Sequence, residues 1–251
     1  MGHLLHPKCK TMNFKITIKT VIFLLLLQCI VYTEVKAQDC NAVPFMKVGA
    51  VLEYTDYNKK GKLQGTTRHE TTAISPSTDG IVNAVIKATV VDNKNKDKYS
   101  TDYNVKCNYG LFSVDMLRFF DFDKLSEHNK NNLNIKIDGD VLEFPYQMKP
   151  GDDLDDGTIN IKINNEDNTF TLVTLSFDVL NREIVGEEQI TTPAGTYKCK
   201  KVTFDFESKF GILNIRGSGV EWYYNDVMVV RSESYNKKGK LIGYHELTKV
   251  L

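Results

Sequence analysis

Short stretches in which apolar and polar residues alternate recur along this chain, and they constrain its fold more than any other feature. Val202, Phe204 and Phe206 alternate with polar residues in one such stretch. A period of two puts successive side chains on opposite faces of a β-strand. Gly, Asn, Asp and Pro separate the stretches, as in β-turns, and short connections join antiparallel neighbours. The pattern predicts an all-β domain, mainly an antiparallel meander, forming a curved sheet, a half-barrel or a barrel.

The sequence also predicts several turns. Residues 58–61 and 236–239 both read Asn-Lys-Lys-Gly, and residues 192–195 contain Pro and Gly, which suit β-turns. Asp138-Gly139-Asp140 separates two apolar stretches and predicts a hairpin between them. One region departs from the alternation: Ser113 is a suitable N-cap, and apolar residues recur at helical spacing after it. We therefore expect one short helix at about residues 114–128.

The N-terminus has the order of a secretory signal peptide. Lys15 and Lys19 precede the apolar run 21–27, and Val35-Lys36-Ala37 follows. This order predicts a signal peptide at residues 1–37, cleaved between Ala37 and Gln38, and hence a periplasmic or secreted protein. Met12 reads as a more natural start, so residues 1–11 are a candidate mis-assigned start. No later apolar run is long enough to span a membrane.

Residues 38–251 are expected to form a single domain, because no Pro-, Gly- or Ser-rich linker divides them. Residues 1–37 carry five Lys and one Glu, so the remainder carries 27 basic and 31 acidic residues. Phosphate contacts need a basic surface, so this balance argues against a nucleic-acid partner.

Three cysteines remain after the predicted cleavage site, which allows at most one internal disulfide. Cys107 and Cys199 both lie in the apolar phase of their strands, whereas Cys40 lies in the lead-in to the domain. Export permits a disulfide to persist, and we favour Cys40–Cys107 with Cys199 buried. Cys29 follows Gln28 rather than a small residue, which argues against lipid attachment there.

Two hairpins share a seven-residue sequence. Tyr57–Leu63 is repeated letter for letter as Tyr235–Leu241, and a His-Glu pair trails each copy, at residues 69–70 and 245–246. The repeat indicates either an internal duplication or the same turn sequence arising twice independently. We expect both histidines on the surface; the alternative is that neighbouring hairpins bring the two His-Glu pairs together.

Candidate catalytic and metal motifs fail on spacing. The acids at 152, 153, 155 and 156 do not match a calcium loop, and no Cys/His cluster suits zinc. Gly217-Ser218-Gly219 lacks the nucleophile elbow of serine hydrolases, and glycines in a strand more often mark a bend. Paired carboxylates abound, but the sequence does not fix two of them across a cleft. We therefore expect a protein that is not an enzyme and has no cofactor.

Aromatic residues cluster near the C-terminus. Alternation directs Trp222 and Tyr224 to one face and Tyr223 to the other. Core packing is the ordinary role of such residues. A concave aromatic surface for an apolar ligand, formed by Trp222 and Tyr224, is the alternative.

Several segments together resemble the TapB-like family of exported proteins from Bacteroidetes-type bacteria. That family is related to domain of unknown function 3108. The segments are Cys40 with Gly49-x4-Tyr54-x2-Tyr57, residues 191–199 (TTPAGTYKC), residues 220–223 (VEWY) and residues 230–241. Residues 226–229 (DVMV) depart from the family's usual turn there. The resemblance implies a β-rich envelope domain and supplies neither an activity nor a site.

The sequence thus predicts an exported envelope domain that binds an apolar small molecule or another envelope protein on a curved β-sheet, without catalysis. Two other classes stay open. One is a structural or assembly protein of the cell surface, which would act through exposed edge strands. The other is a hydrolase, which would need a cleft with convergent titratable side chains.

Overall fold

The computed structural model describes residues 40–76, 81–94, 96–119, 134–165 and 167–251. The predicted signal peptide and the cleavage site at Ala37 and Gln38 lie outside these residues. Residues 37–251 form one compact unit. Within the described part the strands are β1 Val51–Asn58, β2 Leu63–Pro76, β3 Ile81–Asp92, β4 Asp97–Asn108, β5 Leu111–Asp115, β6 Asn134–Gly139, β7 Val141–Phe144, β8 Asp153–Leu154, β9 Gly157–Asn164, β10 Thr171–Thr192, β11 Gly195–Phe210, β12 Leu213–Tyr224, β13 Met228–Asn236 and β14 Leu241–Val250.

All fourteen strands belong to one sheet, and every registered pair is antiparallel. The order is β6-β9-β10-β11-β12-β13-β14-β1-β2-β3-β4-β5-β7, with β8 paired to β10. Sequence neighbours pair along most of this path, so the predicted all-β antiparallel meander is confirmed. The first strand pairs with the last through Leu52 and Val250. This contact brings the two halves of the meander together.

The segment 134–144 brings the two ends of the path together. Its first part, β6, pairs with β9, and its second part, β7, pairs with β5. Between them, the backbone N–H of Asp140 donates to the carbonyl of Thr158 at 2.8 Å. A Cβ on Gly139 would lie 2.9 Å from Ile159, so the strand passes very close to β9 there. The predicted hairpin at 138–140 is therefore wrong: the segment continues from one edge to the other, and the sheet is nearly closed and barrel-shaped.

The antiparallel order assigns each turn to one of two ends of the sheet. We call the upper end the one that carries the connections that follow β1, β3, β9, β11 and β13. The lower end carries the turns at 109–110, 193–194 and 225–227 and the segment that precedes β1.

The segment at residues 40–50 closes the lower end. Val43, Phe45 and Met46 are buried, and Thr71 Oγ1 donates to the carbonyl oxygen of Phe45 at 2.6 Å. A disulfide joins Cys40 to Cys107, with their Cα atoms 5.9 Å apart.

This disulfide is the pairing favoured from the sequence. Cys199 is a buried free thiol, also as expected.

The predicted helix is wrong over its first residues. Val114 pairs with Val105 of β4 and with Leu142 of β7, so it belongs to a strand. Ser113, expected as an N-cap, lies within the same strand. A 3₁₀ turn follows at Met116–Phe119, and Asp115 Oδ1 accepts the N–H of Leu117 at 2.8 Å. Pairing on both sides of β5 outweighs the local helical spacing; residues 120–128 lie outside the described residues.

Candidate functional site

A cavity of about 510 Å³ lies inside the sheet and extends toward its upper end. The strands that surround it contribute the residues of their inner faces, so period-two alternation decides which side chains line it. Its apolar lining includes Val90, Phe177, Phe204 and Phe206, and its polar lining includes Tyr54, Asp56, Thr67, His69, Tyr99, Arg118, Glu221, Ser232, Ser234 and His245. The cavity is therefore aromatic in part and hydrogen-bonding in part.

Two glycines make room for the aromatic lining. A Cβ on Gly219 would lie 2.2 Å from the ring of Phe204, and one on Gly217 would lie 2.5 Å from the ring of Phe206. The two rings therefore lie across β12 in space that any other residue would occupy. This explains Gly217-Ser218-Gly219 by packing, and Ser218 does not line the cavity.

A buried charged pair lies deeper in the cavity. Arg118 follows β5 in the 3₁₀ turn, and its guanidinium nitrogen lies 3.7 Å from a carboxylate oxygen of Glu221. The hydroxyl of Tyr223 donates to the same carboxylate. Burial, and then the negative charge of Glu221, raises the pKa of Tyr223 well above its usual value, so this phenol stays protonated and remains a donor. Opposite charges held together offset part of the desolvation cost of both.

The two histidines that trail the repeated hairpins converge beside Tyr54. The ring centroids of His69 and His245 lie 5.5 Å and 5.3 Å from that of Tyr54, both edge-on. Tyr54 itself donates to the carbonyl of Val229 at 2.8 Å. Burial lowers the pKa of His69 to about 3, and it lowers that of His245 as well.

The expected surface position of these histidines is therefore wrong. The alternative is correct for the histidines, because β1 pairs with both β2 and β14. It is wrong for the glutamates, which do not line the cavities: Glu70 pairs with Arg68 and Glu246 pairs with Arg231.

A smaller cavity of about 70 Å³ lies toward the lower end. Tyr54, His69, Arg118 and His245 line both cavities. The remaining walls of the smaller one are largely apolar and include Phe45 from the segment that closes the lower end. The polar cluster thus forms the floor of the larger cavity.

The predicted aromatic surface does not form the cavity. Trp222 is 6% exposed; its indole N–H donates to Glu188 at 3.0 Å, and Lys201 lies 5.4 Å from its ring centroid. Tyr224 packs edge-on against Tyr197, with centroids 5.2 Å apart. Neither Trp222 nor Tyr224 lines either cavity, because both lie on the face of β12 opposite Glu221. A concave surface built on them is not what the structure provides.

The acidic turn at residues 150–157 is used for local hydrogen bonds. Asp152 accepts the backbone N–H of Lys149 at 2.8 Å, and Asp156 accepts that of Asn181 at 2.7 Å. No group of His, Cys, Asp or Glu side chains suited to a metal ion occurs among the described residues.

Sequence reasoning missed Arg118 and Glu221 as cavity residues, and it did not foresee the hydrogen bond from Tyr223 to Glu221. Arg118 fell within the predicted helix, where a charged residue reads as solvent-facing. Glu221 lies in phase with Gly217 and Gly219 on β12, so a continued period-two count from those glycines would have placed it inside.

The class of protein follows from the fold and the cavity together: an all-β domain whose nearly closed sheet surrounds an interior cavity with a polar floor. Residues 47–247 match the DUF3108-like family, so the chain belongs to that family. This confirms the resemblance inferred from the sequence. Among curated proteins, none matches the chain.

Solved structures agree with this assignment. One, from Bacteroides fragilis, is described as a presumed exported protein with a YmcC-like fold; it is 28% identical, with a TM-score of 0.65 over 82% of this chain and 96% of that one. Another, from Parabacteroides distasonis, is described as a presumed lipoprotein; it is 21% identical, with a TM-score of 0.66 over the same shares.

These descriptions suggest an envelope or exported location for this chain. In the described residues, no helix has the length and apolarity needed to cross a bilayer.

Proposed function

We propose that this protein is periplasmic or secreted and binds a small amphiphile in the larger cavity without transforming it. The observation that supports this most directly is the division of the lining: Phe177, Phe204 and Phe206 on one part, and the Arg118–Glu221 cluster on the floor. An apolar body would pack on the rings, and a polar head would bond to the floor.

The dimensions of the cavity fit such a ligand. Pockets for small molecules span roughly 300–1,000 Å³ and combine an apolar lining with a few placed polar groups. The cavity of about 510 Å³ falls within that range. Burial of a ligand's apolar surface contributes about 25 cal/mol per Å², and the polar floor would select for a head group that satisfies it.

The state of the titratable groups favours binding over catalysis. Burial keeps His69 neutral across the physiological range, since its pKa is lowered to about 3. The hydroxyl of Tyr103 also lies 3.0 Å from its Nδ1 atom. A general base works best with a pKa near the ambient pH, so His69 serves better as a hydrogen-bonding wall residue than as a base.

The pairing of β1 and β14 argues against assembly through the first or last strand. An exposed first or last strand would favour that class. Here β1 pairs with β2 and β14, and β14 pairs with β13. Neither terminal strand presents a free edge for most of its length.

Binding can be tested by displacement of a dansyl-labelled fatty acid, with native mass spectrometry of the exported protein as a second measurement. Ser234 lines the cavity, so Ser234→Trp should fill it and abolish probe binding. Ser218→Trp is the matched control, because Ser218 lies on the neighbouring strand and faces outward; it should bind as the parent does. Val90→Trp provides a second filled cavity if the first variant unfolds. Equal binding by filled and control variants would contradict the proposal.

A further inference from the structure

Two hairpins at the upper end expose apolar side chains at their tips. Phe170 is 59% exposed in the turn between β9 and β10, and Phe210, Ile212 and Leu213 are 53%, 101% and 60% exposed in the turn between β11 and β12. Isolated exposed apolar residues are ordinary, but several at neighbouring tips mark an interaction surface.

The β11–β12 hairpin projects beyond its neighbour β13. Gly217 pairs with Asn236, where β13 ends, and residues 213–216 continue past that point. Four residues of strand span about 13 Å. Leu213 and Ile215 share the inward phase of Gly217. The apolar lining thus continues out of the cavity onto the hairpin that projects from it.

Three other turns at the same end carry exposed lysines. They are Lys59, Lys60 and Lys62, then Lys94 and Lys96, and then Lys237, Lys238 and Lys240. Asp92 is the one acidic residue in the ranges 58–62, 92–94, 96 and 236–240. The backbone N–H of Lys59 donates to the carbonyl of Ile242 at 3.0 Å, so the first of these turns lies against the start of β14, directly after the turn at 236–240.

The Asn in each copy of the repeated turn fixes the backbone of the lysines that follow it. Asn58 Oδ1 accepts the N–H groups of Lys60 and Lys62 at 2.8 and 3.2 Å. Asn236 Oδ1 accepts those of Lys238 and Lys240 at 2.9 and 3.1 Å. The letter-for-letter repeat therefore builds two equivalent basic tips next to each other.

We infer that the upper end docks on a bilayer containing anionic phospholipids. The apolar tips would enter the headgroup boundary, into which interfacial elements bury about 5–10 Å. The lysine turn at 236–240 begins where β13 ends, about four residues short of the β11–β12 tip, which would place it at the level of the phosphates, where basic residues strengthen attraction to anionic lipids.

A lipid surface fits these features better than a protein partner does. Protein interfaces are depleted of lysine and place their apolar residues in a flat, packed centre. Here the apolar groups stand on narrow projecting tips at one part of the upper end, and the lysine turns follow in order along the adjoining strands. Docking in this orientation would also turn the upper end of the cavity toward the lipid, so that an amphiphile could pass between bilayer and cavity with little exposure to water.

Vesicle flotation of the exported protein tests the inference without any cavity ligand. The protein should float with phosphatidylcholine–phosphatidylglycerol vesicles and not with phosphatidylcholine vesicles alone. The double variant Ile212→Glu/Leu213→Glu and the double variant Lys59→Glu/Lys237→Glu should each reduce partitioning at least about tenfold.

The matched controls lie at the lower end of the sheet. Val48 is 65% exposed there, and Lys47 is exposed beside it; Val48→Glu and Lys47→Glu should float as the parent does. Ser234→Trp should also float normally, which separates docking from ligand binding. The inference would be overturned if the parent protein did not float with anionic vesicles, or if the upper-end variants floated like the parent. It would also be overturned if the parent were a dimer and Ile212→Glu converted it to a monomer.

Discussion

The hydroxyl oxygen of Tyr103 lies 3.0 Å from Nδ1 of His69, in the interior of the sheet. Their rings meet nearly at right angles, with centroids 5.8 Å apart. Burial is the main reason that the pKa of His69 is lowered to about 3 and that of Tyr103 is raised to about 12. Both groups therefore stay neutral over the physiological range. The two side chains can therefore share one hydrogen bond while the cavity floor gains no charge from either of them.

Acid should destabilise the protein through His69. Its pKa is about 3 when folded and about 6.5 when unfolded, so the unfolded chain takes up the proton first. The free energy of unfolding is then highest above the unfolded pKa and falls as the pH drops from about 6.5 toward 3. Between pH 6 and pH 4 we expect His69 to account for a loss of roughly 2 kcal/mol. Urea titrations at both pH values measure it.

The variant His69→Asn is the control for that titration. Asn keeps a hydrogen-bonding group near Tyr103 and cannot take up the proton, so its stability should depend less steeply on pH than that of the parent. His245 still contributes a slope of the same sign, since burial lowers its pKa too. Parallel pH curves for parent and variant would rule out a buried neutral His69.

The alternation of residues was sufficient to predict most of the fold. Val202, Phe204 and Phe206 alternate with polar residues in the sequence, and in the structure Val202 is buried while Phe204 and Phe206 line the larger cavity. The segment 134–144 was not predictable, because its two parts pair with strands far apart in sequence. A local Asp-Gly-Asp signal describes a turn well, but it cannot report that Gly139 lies against Ile159. Closure of the sheet depends on that non-local contact.

Loss of the Cys40–Cys107 disulfide should destabilise the native state substantially. The two residues are 67 positions apart, and in the chain-entropy model a loop of this length contributes about 4 kcal/mol. Cys40→Ser should lower the free energy of unfolding by about 2–4 kcal/mol, measured in urea. Reduction of the parent should produce a similar loss and leave Cys40→Ser unchanged. A parent protein indifferent to reductant would show that the bridge is not formed.

Gly219→Ala should destabilise the protein by about 1–3 kcal/mol, because the new methyl group would overlap the Phe204 ring. A Cβ there lies 2.2 Å from a ring atom. Gly186→Ala is the matched control in β10, since a Cβ at that position meets nothing within 4 Å. Thermal unfolding compares them. Phe204→Leu in the Gly219→Ala background should recover part of the loss; equal effects of the two glycine substitutions would contradict this packing.

The candidate site was harder to predict than the fold because its position depends on the sheet's closure. His69 and His245 lie 176 residues apart, and the pairing of β1 with both β2 and β14 brings their rings against Tyr54. Arg118 reaches the same place from a 3₁₀ turn. A strand's own alternation indicates which residues share a face, but not which of the two faces encloses the cavity.

Trp222 is the single tryptophan of the chain, so fluorescence can decide between the two faces of β12. Because Trp222 is 6% exposed and lies outside the cavity lining, its emission should be blue-shifted, resist acrylamide quenching and stay unchanged when an amphiphile binds. The variant Trp222→Phe/Tyr99→Trp moves the only indole to the cavity wall. Its emission should shift on ligand binding and become protected from quenching. A ligand response from Trp222 with none from residue 99 would restore the surface formed by Trp222 and Tyr224 as the binding site.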